Sequence, residues 1–477
     1  MKTTSDIAKA FDLQLFGQDQ VEISMVAISS LDILPGALFV ACQGDNAHGI
    51  DFLPSAITGG AVAVLSDRPV QTELPLLIHP NPRLITGALS AFVMGTMELG
   101  LQIFGVTGTN GKTSTAFYLH QILLELGVQA GLSSSAFTQI RQEQIQSPLT
   151  TPEAPRLHWL LSEMASAGAT AAVVEVSAQA LVRNRVDGVI FDVAGFTNLT
   201  RDHLDEFGSM DNYLSAKALL FSSQFSKRAV INVEDEFGQQ MLDSVNQQSP
   251  GDLTSIGSNR DYDFELANAG VRIFGKHELF LACDLGPLMA KNLVLAVVML
   301  LDAGYKPASI ESAVPLITQV VPGRLQLVGD AQPHVYLDYA HTPQAVELAA
   351  HELSEKYPEL VVLLSASGDR DPGKRIEMGR AAAKYASHVF VTDQHPRSED
   401  PATIRAGLIA GILETQPSEF VSEVGDPQSA ISQAVNSTGV DGAILWCGPG
   451  HLKYREVAGK KLPFDASLEV RRALNLD

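Results

Sequence analysis

The amino-acid sequence predicts an α/β protein of three domains, and three observations lead there. The chain has 477 residues, which at roughly 100–200 residues per domain provides for about three separate cores. Short apolar runs of strand length alternate with helical patterns along most of it, as in sheets covered by helices. Finally, 45% of the residues are hydrophobic and 18% are charged, the latter below the usual ~25%. Such a composition fills cores and excludes extended disorder.

Residues 1–97 hold an apolar run at 37–41, a helical pattern near 52–57 and a second run at 61–65, a small α/β unit of its own. Residues 98–324 repeat strand, glycine-rich turn and helix, with strands expected at 103–104 and 171–176, a mostly parallel arrangement. Val321-Pro322-Gly323 punctuates the end of that unit. Residues 325–477 resume the alternation, with strands expected at 334–337, 360–364, 388–392 and 443–447.

Charge and cysteine content narrow the function classes. Thirty-three Lys and Arg against 54 Asp and Glu give a net charge of −21, which repels polyphosphate backbones and anionic membranes, so no nucleic-acid or membrane partner is expected. Cys42, Cys283 and Cys447 are widely spaced and odd in number, which supplies neither a disulfide framework nor a clustered zinc site. Met1 to Phe16 has no basic region leading into an apolar stretch, and no apolar segment reaches about 18 residues. A cytoplasmic location is therefore expected.

The most informative segment is GVTGTNGKTS at 105–114, with glycines at Gly105, Gly108 and Gly111 before Lys112, Thr113 and Ser114. A strand precedes it. After it, Leu119, Ile122, Leu123 and Leu126 fall at helical spacing and Gly127 closes what should be an amphipathic helix. Glycines let backbone N–H groups turn inward around phosphate oxygens, a lysine reaches the terminal phosphates, and a threonine hydroxyl can ligate Mg²⁺. The plainer reading is a glycine-rich turn with a surface lysine. Glu175, at the end of the 171–174 apolar run, is the candidate strand-end acid for the metal, with a solvated loop charge as the alternative. No Asn-Lys-x-Asp motif for guanine is present, so ATP is the expected nucleotide.

With that loop, SPLTTPE at 147, EVSAQAL at 175, FTNLTRDHLDEFGSM at 196, AKALLF at 216, VPGRLQL at 321, LDYAHTP at 337, SGDRDPGKR at 367 and GPGH at 448 resemble the Mur ligases. Within that family the resemblance is to the branch that adds the third residue of the peptidoglycan stem peptide. It implies a UDP-substrate-binding N-terminal domain, a central P-loop ATPase-like domain and a Rossmann-like C-terminal domain that carries the amino acid. It also implies ATP and two Mg²⁺ ions, an acyl-phosphate intermediate, a UDP-N-acetylmuramoyl dipeptide and an amino acid as partners, and a monomer.

By that resemblance Gly108, Thr109, Asn110, Gly111, Lys112, Thr113 and Ser114 bind the triphosphate, while Asn292, Arg324 and Asp338 contact adenine, phosphate and ribose. Thr113 and Glu175 would hold the first Mg²⁺, and His203 with a carbamylated Lys217 the second; unaided, Lys217 reads as a solvated helix lysine. Lys112, Lys217 and His203 are thus the candidate catalytic residues. Thr150, Thr151, Ser177 and Arg185 match sugar, pyrophosphate or peptide contacts, and Ser30 the uridine. His341 orients its loop or simply packs a turn.

The incoming amino acid would meet Gln394, His395, Arg397, Gly448 and Leu452. Here the sequence departs from the branch: Gln394-His395-Pro396-Arg397 stands where an Asp-Asn-Pro-Arg motif is usual, and Leu452 where a glutamate is usual. Arg397 can still grip a carboxylate. A different or shorter side chain is expected, either a diamino acid read by Asp393, Glu399 or Asp400, or a neutral one such as homoserine. The competing readings are another ligase with the same ATPase core, of folylpolyglutamate type or for a neighbouring step of the stem peptide, an ATP-driven P-loop switch, and a small-molecule kinase.

Overall fold

The computed structural model describes residues 1–44, 47–147, 149–247 and 251–476; Pro148 of the SPLTTPE motif lies outside them. Three sheets dominate, and each belongs to one stretch of chain. The α/β reading holds in all three.

The first sheet has five strands in the order Gln14–Phe16, Leu76–Ile78, Ala61–Ser66, Ala37–Ala41, Met25–Ala27. All pairs are parallel except the first. Apolar clusters lie on both of its faces, which is why the runs at 37–41 and 61–65 read as nearly continuous rather than alternating.

The second sheet has 11 strands. Its centre is parallel, with Gln102–Thr107 between Ala171–Glu175 and Val193–Phe196. Antiparallel strands extend both ends, at Thr138–Ile140 with Glu143–Ile145 and at Gly270–Gly275 with Leu279–Ala282. Helices Lys112–Glu125 and Pro287–Asp302 pack together on one face. Residues 113–123 of the first are all buried, so the expected amphipathic helix is instead enclosed almost all round: a second, strongly apolar helix covers the side that the sequence pattern leaves to solvent.

The third sheet has six strands in the order Gln326–Leu327, His334–Asp338, Ala443–Cys447, Leu360–Leu364, His388–Val391, Val421–Glu423. It is parallel apart from the short first edge strand. Trp446 is fully buried beneath it. No helix among the described residues is long and apolar enough to cross a membrane.

Candidate functional site

Register places the chemistry. Glu175 pairs with Val106 and Phe196 with Thr107, so the loop after the central strand, the acid ending its neighbour and the 197–203 segment all emerge at the carboxyl ends of adjacent parallel strands. In open α/β sheets that edge is where ligands bind.

The loop differs from its sequence reading in one respect. Gly105 belongs to the strand Gln102–Thr107, where a Cβ would lie 2.7 Å from the Phe191 ring; it is a packing glycine and takes no part in the loop. The turn proper begins at Gly108. Its backbone is held by the 197–200 segment: Thr109 N–H donates to the Asn198 carbonyl at 2.8 Å, Asn110 N–H to Asn198 Oδ1 at 3.0 Å, and Thr197 Oγ1 donates to the Asn110 carbonyl at 2.6 Å. At Gly111, φ is +83° and a Cβ would meet Asn292 Oδ1 at 2.2 Å. The helix Lys112–Glu125 then begins with no side-chain cap, and the first N–H groups of a helix have no partner within it.

Lys112 curls over this loop and donates to the carbonyls of Gly108 and Thr109 at 3.1 and 2.9 Å. Burial lowers its pKa, against the pull of Glu175 and Asp202. Thr113 Oγ1 lies 3.1 and 3.2 Å from the two oxygens of Glu175, which also accepts from Ser135 N–H at 2.7 Å and Ser135 Oγ at 3.1 Å. Ser135 was not singled out by the sequence; nothing in the Ser133-Ser134-Ser135 run distinguishes it from a turn.

Lys217, on the helix Met210–Ala218, is 1% exposed. Its Nζ donates to the Gly108 carbonyl at 2.6 Å and sits 4.3 Å above the Tyr213 ring. Burial, with repulsion from Lys112, pushes its pKa well below the ordinary lysine value, which favours a neutral, nucleophilic amine. His203 borders the same Tyr213 ring; burial lowers its pKa to about 4, leaving the neutral imidazole that a metal requires. Thr113 and Glu175 offer the oxygen donors a hard cation prefers. So small a set of oxygen donors suits an ion such as Mg²⁺, which draws most of its ligands from phosphate and water.

The C-terminal lobe closes over this edge. Arg324 Nη2 donates to Thr113 Oγ1 at 3.0 Å and its guanidinium lies 4.7 Å above the Tyr339 ring. Asp338 is buried and accepts from Leu325 and Ala340 N–H groups at 2.7 and 2.6 Å; burial raises its pKa despite Arg324. Asp202 is the hub: Lys374 Nζ at 3.2 Å, His341 Nε2 at 3.4 Å and His203 Nε2 at 3.5 Å surround its carboxylate. Burial opposes ionisation of Asp202, yet His341 and Lys374 hold its pKa well below the usual range. Asp202 and Lys374 both sit in quoted motifs, but no spacing rule pairs residues so far apart in sequence.

A single cavity of about 730 Å³ joins these parts. Of the remaining candidates, Thr150, Ser177, Arg185, Gln394, His395, Arg397, Gly448 and Leu452 line it, along with Thr109 to Ser114, Asn292, Arg324 and Asp338; Gly108 does not. Arg185 is anchored by Glu153 at 2.9 Å. Thr151 lies inside the protein, donating to the Glu175 carbonyl at 2.8 Å and accepting from Ser177 N–H at 3.0 Å. Ser30 sits in a turn of the N-terminal lobe and does not line this cavity.

The acids expected to read a second amine are engaged elsewhere. Asp393 pairs with Arg405, Glu399 with Arg375 at 2.8 Å, and Asp400 caps the helix Pro401–Leu413; none lines the cavity. Glu456, which the sequence did not single out, does.

Comparison with known proteins gives this architecture its kin. Residues 106–297 match the model for the Mur ligase middle domain, 323–450 that for the Mur ligase glutamate ligase domain, and 22–94 that for the Mur ligase family catalytic domain. A UDP-N-acetylmuramyl-tripeptide synthetase of Leifsonia xyli is 40% identical, over 98% of this chain and 95% of that protein. A UDP-N-acetylmuramoyl-L-alanyl-D-glutamate--2,6-diaminopimelate ligase of Chromobacterium violaceum is 35% identical over 97% of each chain. A solved structure of a ligase with that same description matches with a TM-score of 0.67 at 26% identity over 98% of both chains. With its phosphate-type loop, strand-end acid and docked C-terminal lobe, the chain belongs to the Mur ligase family of ATP-dependent amide ligases.

Proposed function

We propose that this enzyme adds the third stem-peptide residue to UDP-N-acetylmuramoyl-L-alanyl-D-glutamate in peptidoglycan precursor synthesis, using ATP. The observation that carries the reading is that one cavity is lined at once by the loop residues 109–114, by Thr150, Ser177 and Arg185, and by Arg397 of the C-terminal lobe. These are the three places that a nucleotide, an anionic sugar-nucleotide acid and an amino acid need.

A carboxylate does not form an amide readily at neutral pH. In the proposed reaction a carboxylate oxygen of the D-glutamate attacks the γ-phosphorus of ATP and ADP leaves. The amine nitrogen then attacks the acyl carbon, the carbon–oxygen bond to phosphate breaks, and the ammonium proton is lost. Gly108 to Ser114 cradle the phosphates, and Lys112 swings from the loop carbonyls to the transferred group, whose charge it offsets. Arg324 reaches phosphate from the closing lobe, Asn292 faces adenine and Asp338 the ribose. Arg185 and Ser177 hold the pyrophosphate or peptide, Thr150 the sugar and Ser30 the uridine, with Thr151 bracing the Glu175 strand end. Thr113 and Glu175 would hold one Mg²⁺, and His203 with the carbamate of Lys217 a second. Bound there, Mg²⁺ supplies positive charge against the transferred phosphoryl oxygens. The docked lobe excludes water that would hydrolyse the acyl phosphate.

Mass spectrometry of the product with UDP-muramoyl dipeptide, ATP and an amino-acid panel tests this. Expected is the tripeptide mass, with ADP release dependent on both other substrates and reduced ~10³-fold or more in Lys112→Ala. ATP turnover indifferent to peptide and amino acid, or amide synthesis surviving in Lys112→Ala, would exclude it.

A further inference from the structure

The cavity wall contributed by the C-terminal lobe carries a charged pair, Arg397 and Glu456. Arg397 and Glu456 face each other with Nε and Oε2 3.5 Å apart. Their backbones are tied together: Arg397 N–H donates to the Glu456 carbonyl at 3.1 Å, Ala458 N–H to the Arg397 carbonyl at 2.8 Å, and Glu456 N–H to His395 Nδ1 at 2.9 Å. The two side chains are 24% and 34% exposed, so they are placed by the backbone yet open to a ligand.

Neither side chain is consumed by the other. At 3.5 Å the contact is an ion pair and not a hydrogen bond, and Arg397 Nε is buried without a hydrogen-bond partner. The other carboxylates lining the cavity, Glu175, Asp202, Glu206, Glu234, Asp235 and Asp338, all accept hydrogen bonds. Among the described residues, Glu456 is the lining carboxylate whose side chain accepts none. A carboxylate left in a cleft with full acceptor capacity is suited to an ammonium.

Resting on the ligase reading above, we propose that Glu456 determines which amino acid is added: it binds the side-chain ammonium of a short diamino acid whose α-carboxylate is held by Arg397. The α-amine stays free as the nucleophile. Because the two protein charges are adjacent, the ligand's carboxylate and side-chain ammonium must also lie close together. A side chain of two or three methylenes, as in 2,4-diaminobutyrate or ornithine, does this extended; lysine must fold back. The second carboxylate of meso-diaminopimelate would face Glu456 and be repelled, and Leu452 on the same wall offers it no polar partner.

The test uses the full-length enzyme with UDP-muramoyl dipeptide, ATP and Mg²⁺, comparing 2,4-diaminobutyrate, ornithine, lysine, meso-diaminopimelate and homoserine by phosphate release and product mass. One of the two short diamino acids should give the highest kcat/KM. In Glu456→Gln its KM should rise, with the kcat/KM ratio over homoserine falling ~30-fold or more, and Glu456→Asp should retain more of that ratio than Glu456→Gln. Native preference for meso-diaminopimelate, lysine or homoserine, which needs no variant to fold, would overturn the assignment. So would a Glu456→Gln loss that is equal for every amino acid, the mark of a residue that only braces Arg397, or an unchanged ratio. Amide formation with another preference defeats only this inference, whereas no amide with any amino acid defeats the ligase reading as well.

Discussion

At Gly108 the backbone has φ +147°, and a Cβ there would sit 1.8 Å from Thr197 Oγ1. That hydroxyl is committed to the Asn110 carbonyl, so Gly108→Ala must displace either the loop or the segment that holds it. The expected result is a loss of ATP-dependent phosphate release of ~10²-fold or more with unchanged circular dichroism; near-native turnover would show that the loop tolerates a side chain. Gly105 is glycine for another reason, the Phe191 ring behind its strand. Sequence could not separate the two, because both glycines precede Lys112 and their different neighbours come from distant chain. Lys217 teaches the same thing from the opposite side: as a residue type it reads as solvated, and only the packing of Tyr213 and the loop around it makes it a buried, depressed amine.

Among the elements, the helix Lys112–Glu125 was legible in existence and position, since a strand, a glycine turn and apolar residues at helical spacing are all local signals. Its surroundings were not. The helix Gly373–Ala383 matters for what its start reaches: Lys374, 4% exposed, crosses to Asp202, which is equally buried. Arg201 reaches the same region, pairing with Asp371 at 3.2 Å and Glu377 at 2.7 Å. Removing one partner of a buried pair costs about 3–5 kcal/mol because the remaining charge is stranded. Since Asp202 and Lys374 belong to different lobes, that cost falls on docking and not on either core. Lys374→Met should therefore lower kcat/KM by ~10-fold or more and enlarge the radius of gyration in small-angle scattering. Unchanged activity and scattering together would remove Lys374 from the docking contact.

Across the whole molecule, burial keeps several histidines neutral. His120 and His158 are fully buried, and desolvation lowers the pKa of each to about 4. His158 is wedged between the lobes, 2.8 Å from Thr96 Oγ1 and 3.0 Å from the Asp187 carbonyl. The unfolded chain takes up these protons below about pH 6.5 and the folded chain only near pH 4, so the stabilisation present at neutral pH is lost as pH falls through that window. For His158 this amounts to about 2 kcal/mol between pH 7 and pH 5. The decrease in unfolding free energy over that interval should be smaller by about this amount in His158→Gln than in the native protein. Equal pH dependence in the two would mean that His158 takes up its proton as readily in the fold as in the unfolded chain.

The sequence by itself determined the α/β class, the strand–loop–helix that holds Lys112 and Thr113, the strand-end position of Glu175 and most strands of the third sheet, because each depends on residues within one or two turns of one another. Tertiary structure alone decided that Ser135 braces Glu175, that Asp202 joins Lys374 across the lobes, and that Glu456 rather than Asp393, Glu399 or Asp400 faces the cavity. Those are choices among acids and amines of the same type. Only the folded backbone decides which of them is already paired, since charge pairing depends on distance in space and leaves no period or spacing in the chain.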